Sequence, residues 1–139
     1  MKKHLTAATA VVALAILPIL SACSREPADP VASARQLSGA PAWVRTPTGI
    51  DCGEAELDSR RTLPEKNLEC LADARRAGDA AFLTWIARTT EGDPIPTFAR
   101  ATRSGVDVAS TTAYDSFGPG GWSESTCANV AALPSCADI

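Results

Sequence analysis

Residues 81–114, AFLTWIARTTEGDPIPTFARATRSGVDVASTTAY, decide the fold class of this chain. The first ten fit one face of a helix as well as one face of a strand, but their aromatic and β-branched side chains favour a strand. A turn cluster at 91–94 and the pair Ser104–Gly105 divide the stretch. We therefore predict three strands, at residues 81–90, 95–102 and 106–114.

A helix is predicted immediately before these strands. Residues 62–65, TLPE, have the pattern of a capping box with a proline in the first turn. Residues with helical spacing follow as far as Gly78, where a C-cap is expected, and Arg75 and Arg76 complement the dipole of the last turn. Further strands are predicted at 50–57 and 122–132, with a glycine-rich loop at 116–121. The predicted fold class is α+β, with one N-terminal helix packed on a small antiparallel sheet of three to five strands.

The start of the chain carries a secretory signal. Lys2 and Lys3 precede an apolar run at residues 5–20, and the tetrapeptide Leu20-Ser21-Ala22-Cys23 closes it. This tetrapeptide resembles the lipobox of bacterial lipoproteins. The resemblance implies cleavage before Cys23 and a diacylglyceryl thioether on its sulfur, often with an N-acyl chain. The alternative is an uncleaved membrane span, since about 20 apolar residues can cross a bilayer; Pro18 and the adjoining lipobox favour cleavage.

Three regions are therefore expected. Residues 1–22 form the signal peptide, residues 23–48 a lipidated N-terminus and flexible tether, and residues 49–139 a small α+β domain. The tether prediction rests on four prolines among alanine, serine and threonine, with no apolar periodicity. Trp43 and Val44 are exceptions that either dock on the domain or mark a contact point, and docking is favoured.

The five cysteines divide into one for lipid and four for disulfides. With Cys23 set aside, an even number remains for an oxidising compartment, which predicts two bridges. The two shortest loops favour the pairs Cys52–Cys70 and Cys127–Cys136. A zinc site is disfavoured because the chain contains no C-x-x-C pair.

Composition excludes several classes of chemistry. His4, the only histidine, leaves with the signal, which removes Ser-His-Asp triads, Cys-His dyads and histidine-based metal sites. Removing residues 1–22 also takes away two of the 13 basic residues and none of the 16 acidic ones, so the mature chain has a net charge of −5. Neither nucleic acid nor anionic lipid is an expected partner. No cofactor or metal is expected.

The segment TTEGDPI at residues 89–95, with the helix before it and the stretch around Tyr114 and Phe117 after it, resembles a family of small uncharacterised bacterial lipoprotein domains. The resemblance covers about two thirds of the mature chain. It implies the order helix then hairpin and an extracytoplasmic lipid anchor, and it implies no activity.

Two groups of residues are candidate sites. Glu91, Asp93 and Asp115 are a candidate carboxylate cluster for acid–base chemistry or Ca²⁺, but turn formation around Gly92 is the favoured interpretation. Phe117 and Trp122 flank the glycine-rich loop and form the candidate contact patch, against the favoured alternative that both cover the core.

The sequence thus predicts a lipid-anchored protein on the extracytoplasmic face of the cell membrane, or of the outer membrane in a cell that has one. A binding or interaction module for an envelope protein or ligand is the favoured function. An accessory or inhibitor subunit and a carboxylate-dependent envelope enzyme are the alternatives, and a non-enzymatic role is expected.

Overall fold

The computed structural model describes residues 26–136, which form one five-stranded sheet with helices on both faces. The elements in chain order are α1 (Pro30–Arg35), α2 (Ala42–Arg45), β1 (Ile50–Glu56), α3 (Glu65–Ala77), β2 (Ala81–Arg88), β3 (Pro94–Ala101), β4 (Val106–Thr111), β5 (Trp122–Cys127) and a 3-10 helix (Val130–Ala132). The signal sequence and Cys23 lie outside the described residues. None of the helices within residues 26–136 has the length and apolar character needed to span a bilayer.

The sheet is mixed rather than antiparallel as predicted. Its strands follow one another in chain order, and β2 to β5 pair antiparallel, whereas β1 pairs parallel with β2. The cause is α3, which lies between β1 and β2 in the chain. Two parallel strands need a crossover connection of this kind, since a tight turn can join only antiparallel neighbours.

The predicted helix forms, but it begins differently from the prediction. It starts at Glu65 with Pro64 as its N-cap and without a side-chain cap, because the Thr62 hydroxyl donates to the Asp58 carboxylate at 3.3 Å instead. The prediction of a capping box is therefore wrong. The C-terminal prediction is confirmed: Gly78 has a φ of 81° and its backbone N–H closes the last turn.

Both predicted disulfides are present. Cys52–Cys70 joins β1 to α3, and Cys127–Cys136 ties the chain after the 3-10 helix to the end of β5. The closed loops span 18 and 9 residues. Loop-closure entropy predicts that each bridge stabilises the fold by about 3 kcal/mol.

The prediction of a flexible tether is wrong for residues 30–47, and so is the prediction of a single helix. Asp29 Oδ1 accepts the Ala32 backbone N–H at 2.8 Å, and Pro30 occupies the first position of α1. Val31, Ala34 and Val44 are buried against the sheet. These residues form an additional layer of the fold, which confirms the docking interpretation for Val44.

Each face of the sheet therefore has its own hydrophobic cluster. Leu83 and Trp85 face α3, where Leu71 is fully buried. On the opposite face, Ile86 and Phe98 pack under α1 and α2. Burial on both faces explains why β2 is apolar along almost its whole length.

The only tyrosine of the chain lies at the margin of the α1–α2 layer. Burial raises the pKa of Tyr114, and the Ser33 hydroxyl acts in the opposite direction. The unfolded chain, whose tyrosine pKa is about 10, therefore loses the phenol proton first. The free energy of unfolding keeps its full value below that pH and falls as pH rises through and above it.

We expect Tyr114→Phe to flatten this alkaline decline in the free energy of unfolding. The tyrosinate absorbance of the native protein should appear only above the pH range of an unfolded control. An unchanged slope in Tyr114→Phe would contradict the assignment.

Candidate functional site

The sheet has two ends that carry different surfaces. The Arg88 end carries the end of β1, the end of β2, the turn at 89–93 and the loop at 112–121. The Ser104 end carries the turn at 102–105, the last turn of α3 and the 3-10 helix.

Phe117 and Trp122, the predicted contact patch, have different environments. Phe117 lies in the loop at the Arg88 end and is 81% exposed. Trp122 is half-buried in the α1–α2 layer, where its ring centroid lies 5.9 Å from that of Phe98. Trp122 is thus part of the core margin, and Phe117 alone is available at the surface.

Two members of the predicted carboxylate cluster, Asp93 and Asp115, accept hydrogen bonds from backbone N–H groups, and the third, Glu91, is exposed on the turn. Asp93 accepts the Ser116 backbone N–H at 2.7 Å, and Asp115 accepts that of Phe117 at 2.9 Å. Gly92 has a φ of 96°, as a turn requires. Within residues 26–136, no group of three or more histidine, cysteine or acidic side chains is placed to hold a metal ion. Asp93 therefore fastens the loop at 112–121 to the neighbouring turn, whereas Asp115 stabilises a turn within that loop.

A cleft of about 630 Å³ lies at the Ser104 end. We call it the arginine cleft, because Arg75 and Arg76 of α3 and Arg103 of the β3–β4 turn line it, opposite Asn129 and Val130. Within residues 26–136, no acidic side chain is part of its lining. Its volume falls within the roughly 300–1,000 Å³ range of small-molecule sites.

Local contacts hold the walls of the arginine cleft in place. Arg75 Nε donates to the Thr102 carbonyl at 3.3 Å, which joins the helix to the turn. Arg76 forms an exposed ion pair with Asp73 one turn earlier. Asn129 accepts the Ala132 backbone N–H at 3.0 Å and so caps the 3-10 helix that forms the opposite wall. The terminal guanidinium nitrogens of Arg75 take no part in the Thr102 contact.

A second cleft, of about 490 Å³, lies where α3 leaves one face of the sheet uncovered. We call it the sheet-floor cleft. Side chains of four strands form its floor, Arg60 and Arg61 stand at one rim, and residues 134–136 form the other. Asp58 at this rim accepts the Thr62 backbone N–H and pairs with Arg60, which together lower the pKa of its carboxyl group. A group held ionised in this way is unsuited to donate a proton as a general acid.

Comparison with protein-family models, curated proteins and solved structures finds no match. The site must therefore be judged from its own chemistry.

Sequence reasoning missed the arginine cleft. The helix dipole accounts for Arg75 and Arg76 in the sequence, and the pattern around the pair Ser104–Gly105 predicts no role for Arg103. The available signal was the composition of the mature basic residues, ten arginines and a single lysine. Arginine is the cation that binds carboxylate and phosphate in a fixed two-pronged geometry, whereas lysine is a point charge.

Proposed function

We propose that this protein is a lipid-anchored component of the bacterial cell envelope that binds an anionic partner in the arginine cleft. The observation that carries the proposal is the convergence of three guanidinium groups on one cleft in a mature chain of net charge −5. The described lining of the cleft, within residues 26–136, contains no acidic side chain, and Arg76 also pairs with Asp73 beside it. A positively charged cleft on a protein of negative net charge favours a role in anion binding, because the average field of an acidic protein repels anions elsewhere on its surface.

The chemistry of the cleft defines the class of partner. Guanidinium groups bind carboxylate and phosphate oxygens through paired, charge-assisted hydrogen bonds. Ala72, Val130 and Ala131 add an apolar wall, so the partner is expected to present an apolar portion beside its charge. An anionic metabolite, an anionic unit of an envelope polymer and an acidic patch on another protein share this chemistry. The last of these partners, an acidic patch on another protein, corresponds to the alternative function of an accessory or inhibitor subunit.

The proposed location is supported by the lipobox and by the cysteines. Cys52, Cys70, Cys127 and Cys136 are all oxidised, which is the state expected outside the cytoplasm. Cys23 is then the one cysteine that remains for the thioether that the lipobox implies. A small domain with two bridges and an acylated N-terminus suits a protein held at a membrane surface.

The test is a titration of the mature protein with inorganic pyrophosphate and with citrate at low salt, followed by backbone NMR. We expect the largest shifts at Asn129–Ala131 and at the β3–β4 turn. Arg76→Gln combined with Arg103→Gln is expected to weaken binding at least about tenfold, because a hydrogen bond to a charged group contributes about 1.5–3 kcal/mol.

Arg60→Gln combined with Arg61→Gln is the matched control, since it removes the same charge from the sheet-floor cleft. This control should bind both probes as the unmodified protein does. If only the control variant loses affinity for the probes, the anion binds in the sheet-floor cleft instead of the arginine cleft. Equal, small effects of both pairs would reduce the interaction to general charge screening and contradict the proposal.

A further inference from the structure

The N-terminal end of the described chain is fixed to the Arg88 end of the sheet. Glu26 Oε1 lies 3.1 Å from Arg88 Nη1, and the same guanidinium also pairs with Glu56 and donates to the Gly92 carbonyl at 2.9 Å. These contacts join the N-terminal segment, β1, β2 and the β2–β3 turn at one point.

The lipid attachment residue is therefore close to this end of the domain. Cys23 precedes Glu26 by three residues, and three residues of extended chain reach at most about 11 Å. A flexible tether of 25 residues would have left the orientation of the domain free. With α1 beginning at Pro30, little of that freedom remains.

The most exposed large apolar side chain lies at the same end. Among residues 26–136, two large hydrophobic side chains are exposed: Phe117 at 81% and Ile50 at 46%. The loop of Phe117 is fastened to the β2–β3 turn by the bond from Ser116 to Asp93. Ile50 pairs with Ala81 at the opposite end of the sheet.

We propose that the Arg88 end of the sheet rests on the bilayer, with Phe117 inserted into its interface. This inference rests on the proposed lipid anchor at Cys23. The occupant is the membrane because the anchor brings the bilayer within about 11 Å of Glu26. An aromatic ring on a loop gains free energy by leaving water for the acyl boundary. The loop contains Gly118, Gly120 and Gly121, whose missing side chains leave Phe117 as its prominent apolar group.

The charges at this end do not call for anionic lipid. Its acidic side chains outnumber its basic ones: the basic residues are Arg60, Arg61 and Arg88, and the acidic residues are Glu26, Glu56, Asp58, Glu91, Asp93 and Asp115. The contact is therefore expected on zwitterionic bilayers and should change little with salt.

The orientation has a consequence for the arginine cleft. The cleft lies at the Ser104 end, and the eight residues of β2 separate the two ends by about 25 Å. With the Arg88 end on the membrane, the arginine cleft faces away from the lipid, where an anionic partner can reach it.

The test uses the full lipidated protein, reconstituted into phosphatidylcholine vesicles with and without bromine on the acyl chains. Phe117→Trp places a fluorophore at the proposed point of insertion. Ser104→Trp is the matched control, since it places one at an exposed turn at the opposite end. Brominated lipid should quench most of the emission that Phe117→Trp adds, and none of the emission that Ser104→Trp adds.

The test distinguishes failure of the proposed lipid anchor from failure of the proposed orientation. A protein whose mass shows no lipid on Cys23 overturns the anchor, and the orientation falls with it. A lipidated, vesicle-bound protein in which the introduced indole at 117 stays unquenched overturns the orientation alone, and it leaves Phe117 for a protein partner. Equal quenching of both variants also overturns it, because the domain would then have no preferred end.

Discussion

Val44→Asp is expected to destabilise the fold by about 4 kcal/mol or more, because it removes a buried apolar side chain and puts a charge in its place. Val44 is 1% exposed and packs with Phe98 and Ile86 in the cluster under α1 and α2. Native domains are stable by only about 5–15 kcal/mol, so the variant should be partly or wholly unfolded at ordinary temperature. Denaturant unfolding followed by circular dichroism measures the loss.

Thr48→Asp is the matched control, since Thr48 is exposed and lies only four residues away. It should unfold at nearly the same denaturant concentration as the unmodified chain, because exposed substitutions change stability by about 0.5 kcal/mol at most. A Val44→Asp variant as stable as this control would contradict the packed N-terminal layer and restore the tether interpretation. The same layer predicts that a chain starting at Thr48 exposes Ile86 and Phe98 and aggregates.

The elements predicted correctly are those with a local cause. Gly78 ends α3 because only glycine adopts the left-handed C-cap at low cost, and the helical spacing before it is visible in a single window. The hairpin of β2 and β3 follows from the turn at 91–94. Gly92 adopts the positive φ that the turn requires, and the fixed φ of Pro94 suits the residue that starts β3. Disulfide pairing followed from loop length, which is also a local property.

The elements missed depend on contacts between distant residues. The pairing of β1 beside β2 is a choice among sheet edges that no local pattern encodes, although the order strand, helix, strand at 50–88 is typical of a parallel unit. The N-terminal layer is not predicted because the prolines of residues 24–48 indicate a tether when composition alone is weighed. Asp29-Pro30 is in fact a helix start, and Val31 and Ala34 have the spacing of one buried face.

The arginine cleft was missed for a related reason. Arg75 and Arg103 are 28 residues apart in the chain, and they meet because α3 ends beside the β3–β4 turn. A count of arginines can indicate an affinity for anions, but only the crossing of α3 over the sheet brings these three together. Phe117 is exposed, contrary to the favoured prediction that it covers the core, and its contact role stays a prediction.

Cys23→Ala is expected to abolish the membrane attachment of the protein. The Cys23 thiolate is the nucleophile that would accept the diacylglyceryl group, and a methyl side chain has no equivalent. The variant should appear as an unprocessed precursor or as a released protein. Membrane fractionation, together with the mass of the N-terminal peptide, separates these two outcomes. Ser24→Ala is the matched control, since it changes an adjacent small residue and leaves the thiol in place; it should mature and fractionate normally.

The released form of Cys23→Ala should keep both its fold and its anion binding. Cys23 takes no part in either disulfide, and the arginine cleft lies at the far end of the sheet from Glu26. Pyrophosphate should therefore bind the released protein with unchanged affinity, while the quenching of an indole at position 117 by brominated lipid should disappear. A variant that matures and sediments with membranes like the unmodified chain would show that something other than Cys23 holds the protein there. Because the proposed anchor and the proposed binding site lie at opposite ends of one sheet, we expect each to be removable without the other.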